Sequence, residues 1–298
     1  MNESIGSALI ERIDNSLLAS MLAFGSIYYP PTDPYASADY RRWLCLHNPH
    51  GEALAVVVRN GDQLIAQAAL IPVRLAIGAK DNRLGYFVVD VLTHPDYRKL
   101  RLFSRIIECA MSFVTERGAL LLGHPNKAAL PGWQRAGMDF QPDLRPAAVL
   151  PLLSSGRVLS ARSDVLAIWP DLQGRMAATA TSTPPEIERT VDYARWRYYD
   201  RPDKDYKVLV RLDAKGAPLT FSVATPWRHG LHLLVDWWAN THAALAAPFP
   251  AIALLPDGSR TVRNAIRMPT SRRIPFFVTD PLKRSHDCRC ITLAASDF

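Results

Sequence analysis

The 298-residue sequence has few cysteines and no long apolar run. Its cysteines, Cys45, Cys109, Cys288 and Cys290, are too scattered for the disulfide framework of a small secreted domain. His286 lies near the last two, but Cys-x-Cys is not a usual zinc spacing and no second cluster completes a tetrahedral site, so we expect no metal. No apolar stretch approaches the roughly 18 residues that a membrane span needs, which predicts no transmembrane helix.

The first residues, MNESIGSALIERIDNS, also lack the basic and apolar pattern of an export signal, and we expect a cytoplasmic protein. The length suits one large or two ordinary domains, and 48% hydrophobic and 21% charged residues are typical of globular proteins. Lys and Arg number 35 against 28 Asp and Glu, a net charge of +7 that favours anionic partners. Because this charge is scattered, nucleic-acid binding is disfavoured.

The most informative stretch, residues 86–118, predicts a strand, a basic loop and a helix. Pro95 ends the apolar strand because it has no N–H to donate to a sheet ladder. From Leu102 onward the apolar residues recur at helical spacing. The basic residues that precede this helix are Arg98, Lys99 and Arg101. Because a helix N-terminus offers free N–H groups and a positive dipole, this arrangement predicts a phosphate site.

This pattern resembles motif A of the GNAT superfamily, the acyl-CoA-dependent N-acyltransferases. The family has Val/Leu-x-x-His-Pro-x-Tyr-Arg after a strand, and residues 92–98, LTHPDYR, follow it. In the next family element, Gln/Arg-x-x-Gly-x-Gly/Ala, Arg101 and Phe103 stand where glycine and glycine or alanine are usual. The resemblance implies that acetyl-CoA or another acyl-CoA binds here. It assigns the donor contacts to Leu92, Thr93, Arg98, Lys99, Leu100, Arg101, Leu102, Phe103, Ser104 and Asn126.

Asn126 belongs to a second part of the resemblance, which follows the predicted strand at 119–123. Pro125 and Asn126 match a Pro-Asn pair that family members often carry after this strand. Asn126 is then expected beside the pantetheine arm, where two parallel strands splay apart and leave backbone groups exposed. The alternative is that Asn126 only caps the helix that follows it.

An internal repeat indicates a duplicated domain. The sequence DYRRW at 39–43 recurs as DYARW at 192–196, and Val89-Asp90 recurs as Val235-Asp236. A repeat at so long a period means a duplication and not a solenoid. We therefore predict a mixed α/β fold of two tandem GNAT-like domains, each with a mixed central sheet flanked by helices.

The predicted boundary lies near residue 153. Residues 1–153 form the N-terminal domain with the acyl-CoA site, and its expected last strand is 147–152. Residues 154–298 form a degenerate copy that lacks the basic helix start. Within the first domain we predict a helix at 8–25 and a hairpin that turns at Asn60-Gly61.

Acyl transfer to an amine requires a thioester held near a nitrogen, together with groups that move protons. The resemblance places a base at Asp90, whereas its counterpart Asp236 favours a structural role for a residue kept in both copies. Residues 127–138 contain no tyrosine to act as the family's usual acid, so His124 at the strand end is the replacement candidate.

The sequence thus predicts a GNAT-type N-acyltransferase that moves an acetyl or longer acyl group from CoA to an amine, such as an amino sugar or a peptide-like acceptor. Two alternatives stay open. The donor could be an acyl carrier protein, whose phosphopantetheine presents the same arm. Otherwise the chain is a catalytically inactive GNAT-fold binding or assembly protein, an interpretation favoured by the missing glycine and tyrosine.

Overall fold

The computed structural model describes residues 5–77, 81–141, 144–150, 157–179, 186–239, 250–256, 265–268 and 274–280. His286, Cys288 and Cys290 lie outside these ranges. Within them, no helix is long and apolar enough to cross a membrane. The same residues contain no group of three or more His, Cys, Asp or Glu side chains that could hold a metal ion.

Helices and strands are interspersed along the chain. The elements of the first part are β1 (Leu9–Arg12), α1 (Asn15–Gly25), α2 (Ala38–Leu46), β2 (Leu54–Asn60), β3 (Gln63–Ile77), β4 (Asp81–Thr93), α3 (Leu102–Glu116), β5 (Leu120–Gly123) and α4 (Leu130–Arg135). Those that follow are β6 (Leu144–Val149), β7 (Val158–Leu159), α5 (Arg162–Thr179), β8 (Glu186–Ile187), α6 (Val191–Tyr198), β9 (Lys207–Leu212), β10 (Pro218–Pro226), β11 (His232–Ala239), β12 (Ala251–Pro256), β13 (Ala265–Arg267) and β14 (Phe277–Thr279).

The first sheet has the strand order β1-β2-β3-β4-β5-β14, and β8 pairs with the end of β3. The β2–β3 hairpin turns at Gly61, whose φ of 57° suits glycine, as the Asn-Gly pair predicts. β4 and β5 are parallel, with Gly85 opposite Leu120 and Phe87 opposite Leu122. Because β4 continues to Thr93 while β5 ends at Gly123, the two strands share only a short ladder.

Helix α3 supplies the apolar face that covers this sheet. Its buried residues recur at helical spacing, and they pack against strand residues such as Val56 and Ile65. Gly118 follows the helix with a φ of 59°, the left-handed conformation common just after helix ends. The strand, loop and helix predicted for residues 86–118 are therefore confirmed, and they fix the position of the basic loop.

The second sheet has the strand order β13-β6-β12-β11-β10-β9-β7. β9 and β10 form an antiparallel hairpin around Gly216, and β11 and β12 are parallel. With two mixed sheets and flanking helices, the expected mixed α/β fold is confirmed.

The strands are distributed differently from the expected division at residue 153. β6, expected to close the first sheet, pairs instead with β12, where Val149 lies opposite Ala251. The first sheet takes β14 from the other end of the sequence, with Val278 opposite Leu122. The two structural units thus interleave along the chain: the described part of the first lies within Met1–Arg74, Arg83–Phe140 and the segment that holds β14, and that of the second within Leu75–Asn82 and Gln141–Phe276. Strand pairing, a long-range property, causes this difference.

The predicted N-terminal helix is also corrected. Residues 9–12 form strand β1, which pairs with β2, and α1 begins only at Asn15. The side chain of Asp14 accepts a hydrogen bond from the N–H of Leu17 at 2.8 Å and so caps the helix start.

The sequence repeat corresponds to two similar helices. Ser37 caps α2 by accepting from the N–H of Tyr40, and Thr190 caps α6 by accepting from the N–H of Tyr193. Both tyrosines are buried, as are the tryptophans of the two repeats. The repeated residues therefore carry out the same packing role in both halves.

Candidate active site

A cavity of about 340 Å³ opens in the first unit where β4 and β5 part. Residues 88–92 of β4 form one wall and residues 123–126 after β5 form the other. The remaining lining comes from Tyr28, Tyr29, Ala129, Trp133 and Phe277. Ligands of α/β sheets bind at such openings, beyond the carboxyl ends of parallel strands.

Glycine at position 123 allows the ring of Phe277 to approach the end of β5 closely. A Cβ placed on Gly123 would lie 2.6 Å from the ring of Phe277 and 3.0 Å from Val88. Without that Cβ, Phe277 of β14 packs close to the end of β5. The ring of Phe277 stacks at a tilt on Trp133, with 4.8 Å between the ring centroids, and together they form an apolar floor.

The amino end of α3 lies just beyond β4. The side chain of His94 accepts a hydrogen bond from the N–H of Asp96 at 3.3 Å and caps the 3-10 turn Pro95–Leu100. Arg101 gives α3 no side-chain cap, so the first backbone amides of the helix, on Leu102, Phe103 and Ser104, keep no intrahelical acceptor.

The three predicted cations surround these amides. Arg98, Lys99 and Arg101 are all exposed, and among the described residues none of them forms an ion pair. Leu100, between them, is 44% exposed. The helix amides, the positive end of the helix dipole and three cations without an ion pair among the described residues together favour an anion at this position.

The backbone conformation of Arg101 shows how an arginine is accommodated where the GNAT pattern has glycine. Its φ is 54° and its ψ is 30°, the left-handed conformation that glycine adopts without strain. For a residue with a Cβ this conformation costs about 1–2 kcal/mol. Arg101 therefore keeps the backbone shape that a glycine would take and adds a cation beside the open amides.

The other residues that are expected to contact the acyl donor differ in how exposed they are to solvent. Leu102 is fully buried in the core, while Phe103 and Ser104 are half-buried. Phe103 packs edge-to-face on Trp133, with ring centroids 5.5 Å apart. Leu92 lines the cavity, whereas the carbonyl oxygen of Thr93 accepts a hydrogen bond from Tyr28.

Asp90 is buried, and both of its oxygens already accept hydrogen bonds. Arg41 Nη1 donates to Oδ2 at 2.7 Å, Gln67 Nε2 donates to Oδ2 at 2.6 Å, and Tyr29 donates to Oδ1 at 2.8 Å. Burial raises the pKa of this carboxyl, against the opposing effect of Arg41 and the hydrogen bonds. The φ of Asp90 is 54°, so the strand is irregular at this point.

The second unit repeats this arrangement around Asp236. Arg189 donates to both oxygens of Asp236, at 2.9 and 2.8 Å, and the Tyr198 hydroxyl also donates to the carboxylate. Position 194 is alanine where the first copy has Arg41, so Arg189 supplies the cation from a different place in the chain. An Asp, an Arg and a Tyr hydroxyl thus meet in each half, which supports a structural role for the repeated aspartate.

His124 and Asn126 lie on the cavity wall opposite β4. The ring of His124 stacks on Phe87, with 5.7 Å between the centroids. The side-chain oxygen of Asn126 accepts from the N–H of Ala129 at 2.8 Å, which is the capping role named as the alternative. Asn126 is nevertheless exposed, and it lines the cavity as well.

Tyr28 and Tyr29 have no predicted role from the sequence, yet both line the cavity. They follow α1 and precede Pro30 and Pro31. Aromatic residues beside prolines in a loop were the available signal, but nothing in the sequence connects that loop to β4.

Comparisons with known proteins agree with this geometry. Residues 13–130 match the family described as an acetyltransferase (GNAT) domain. A search of curated protein sequences finds no match. A counterpart to the basic loop in the second unit would follow β11, where residues 240–249 are outside the described ranges.

Several solved structures are similar along most of their length. A probable N-acyltransferase from Enterococcus faecalis V583, described as a conserved protein of unknown function, has a TM-score of 0.68 and 12% identity over 95% of this chain and 74% of that one. A GCN5-related N-acetyltransferase from Kribbella flavida has a TM-score of 0.65 and 14% identity, over 91% and 70%. One from Anabaena variabilis ATCC 29413 has a TM-score of 0.65 and 11% identity, over 92% and 73%. At such identities the similarity concerns the fold.

Proposed function

We propose that this chain, whose residues 13–130 match an acetyltransferase (GNAT) domain, transfers an acyl group from coenzyme A to an amine. In that reaction the amine nitrogen bonds to the thioester carbon, the carbon–sulfur bond breaks, and the thiol leaves with the proton that the nitrogen loses. An amino sugar or a peptide-like amine is the acceptor class expected from the sequence.

One observation carries the proposal: the cavity between β4 and β5 lies next to a helix end that has no side-chain cap and three cations, none of them ion-paired within the described part of the chain. Acyl-CoA combines a pyrophosphate with a narrow pantetheine arm. The pyrophosphate would suit the basic end of α3, and the arm would suit the opening between β4 and β5. The α3 amides with Arg98 and Arg101 would hold the phosphates. The arm would then run along residues 88–92 towards Asn126.

We assign the proton-exchange role to His124 and a positioning role to Asp90. An imidazole exchanges protons near neutral pH, and His124 stands at the end of β5 where the strands part. Asp90 is a poor base because Arg41, Gln67 and Tyr29 already donate to its two oxygens.

Because both oxygens of Asp90 already accept hydrogen bonds, a second candidate is also favoured, an inactive GNAT-fold binding protein. Such a protein would bind the donor without transferring its acyl group. The two candidates make the same prediction for donor binding and opposite predictions for the release of free CoA thiol when acetyl-CoA and amines are mixed.

The donor site is tested by calorimetric titration of acetyl-CoA and desulfo-CoA. We expect saturable binding to the unaltered protein and about tenfold weaker binding to Arg98→Ala, because a hydrogen bond to a charged group is lost. Arg117→Ala is the matched control, since Arg117 lies just beyond the other end of α3 and should bind as the unaltered protein does. Absence of saturation at millimolar ligand would overturn a CoA-dependent function.

Arg101→Gly separates the two effects of Arg101. Glycine relieves the left-handed strain and also removes the cation. We expect weaker donor binding, as for Arg98→Ala. Tighter binding would mean instead that the Arg101 side chain obstructs the site, and it would remove Arg101 from the phosphate contacts.

A further inference from the structure

Tyr29 and Tyr28 both line the cavity and both donate their hydroxyl hydrogens, Tyr28 to the backbone carbonyl of Thr93 and Tyr29 to a buried carboxylate. The hydroxyl hydrogen of Tyr29 is committed to Asp90 Oδ1 at 2.8 Å. The phenol oxygen therefore presents only lone pairs to a ligand, and among the described residues no donor reaches it. A phenol in this state accepts hydrogen bonds and cannot give one.

The surroundings keep the hydroxyl in this orientation. Arg41 and Gln67 both donate to Asp90 Oδ2, so Oδ1 remains turned towards Tyr29. Arg41 also lies 5.9 Å from the centre of the Tyr29 ring, and the Tyr35 ring stacks on Tyr29 at 5.2 Å. The phenol is held by its hydrogen bond, by a cation and by a neighbouring ring, so its oxygen is pre-positioned.

The second unit holds a similar cluster in which the tyrosine is buried. There, Tyr198 donates to Asp236 beside Arg189, and Tyr198 is only 2% exposed. Its cluster only stabilises the fold. In the first unit, Tyr29 of the corresponding cluster is half-buried and faces a cavity of ligand size. Among the described residues, the tyrosine of the first cluster thus lines a cavity, whereas the tyrosine of the second is buried.

We propose that the Tyr29 oxygen accepts an N–H hydrogen bond from the amine acceptor and that Asp90 is the positioning residue that keeps it an acceptor. This inference rests on the proposed acyl transfer. An amine held by one N–H keeps its nitrogen lone pair for the thioester carbon. Because a lone-pair surface repels carboxylates and phosphates, the Tyr29 wall selects nitrogen donors while the α3 end selects the anionic donor molecule.

The test compares Tyr29→Phe with Tyr198→Phe, the same change in the buried counterpart. Glucosamine, spermidine and lysine amide are titrated by calorimetry, both with saturating desulfo-CoA and without it. We expect at least one amine to bind the unaltered protein and to bind Tyr29→Phe about tenfold more weakly. Desulfo-CoA should bind Tyr29→Phe unchanged, which also shows that the variant is folded.

Tyr198→Phe should lower the melting temperature and leave both affinities unchanged, because Tyr198 has only a structural role. The inference is overturned where Tyr29→Phe binds the amine as tightly as the unaltered protein, or where none of the three amines binds. Failure of desulfo-CoA to bind the unaltered protein counts against the proposed function instead. The amine titrations without desulfo-CoA still decide the role of Tyr29 in that case.

Discussion

At the residue scale, the buried pair of Arg41 and Asp90 connects fold and site. Arg41 joins α2 to β4 with an Nη1–Oδ2 distance of 2.7 Å, and both side chains are almost fully buried. A Cβ on Gly25 would lie 2.6 Å from Arg41 Nη2, so glycine at the end of α1 leaves the space that the guanidinium needs. The Arg41–Asp90 ion pair thus connects α2 with β4 and packs against the end of α1.

Replacing Arg41 should destabilise the protein strongly. Arg41→Leu leaves the Asp90 carboxylate buried without its cation, and we expect a loss of about 3–5 kcal/mol in the free energy of unfolding. Arg42→Leu is the matched control, because the Arg42–Asp39 pair is exposed and such pairs contribute about 0–1 kcal/mol. Urea denaturation measures both. Equal losses in the two variants would contradict the structural role of Arg41.

The Arg41→Leu penalty should also depend on pH. Burial raises the pKa of Asp90, so this group stabilises the folded chain below its unfolded pKa and loses that contribution as the pH rises through its folded pKa. Arg41 opposes the rise, and its removal raises the folded pKa of Asp90 further. We therefore expect a smaller penalty at pH 4 than at pH 7; an equal penalty at both would contradict this account.

The sequence could predict part of this residue network. The repeat relates Asp90 to Asp236, and the motif spacing predicts that Arg98 and Arg101 lie beside the start of α3. The donors to Asp90 could not be predicted, because Arg41 and Tyr29 are distant in sequence and meet β4 only after folding. The left-handed backbone of Arg101 was equally hidden, since an arginine gives no sign of that conformation.

At the scale of elements, α4 approaches α3 through a glycine. A Cβ on Gly132 would lie 2.5 Å from Cε1 of Phe103, and that ring already packs on Trp133. Helix α4 therefore lies close enough for its own Trp133 to reach the cavity floor. Phe103 fills the space beside Gly132, which explains why a large residue at the start of α3 is accommodated.

Gly132→Ala should disturb this contact. Overpacking costs about 1–3 kcal/mol, which exceeds the gain of about 0.5–1 kcal/mol from alanine in a helix, so we expect a net loss of about 1 kcal/mol. Gly174→Ala in α5 is the matched control, because nothing lies within 4 Å of its added Cβ and it should stabilise the protein. Thermal unfolding compares them, and a gain in both variants would mean that Phe103 moves freely.

Element prediction succeeded where local signals were strong. The Asn60-Gly61 turn and the helical spacing of α3 are local, so both were predicted. Strand β1 was mistaken for helix because its four residues adjoin α1 and share its apolar character. Only pairing with β2 makes those residues a strand.

At the scale of the whole molecule, the first sheet is completed by a strand from far along the chain. β14 pairs with β5, and Asp280 accepts from Arg83 Nη1 at 3.0 Å within the same unit. Phe277 of this strand also belongs to the cavity floor. The pairing of β14 with β5 could not be predicted, because a three-residue strand carries little sequence pattern and its partner lies about 150 residues earlier.

A fragment of residues 1–153 should therefore be incomplete although it spans the predicted first domain. Without β14 it lacks the strand that covers β5, the Phe277 ring against Gly123 and the partner of Arg83. We expect it to unfold at lower urea concentration than the same fragment carrying residues 274–280 on a Gly/Ser linker. A linker carrying those seven residues in scrambled order is the matched control, since it adds equal length without the pairing register. Equal midpoints for the native and scrambled attachments would show that β14 is dispensable, and the first unit would then be a contiguous domain after all.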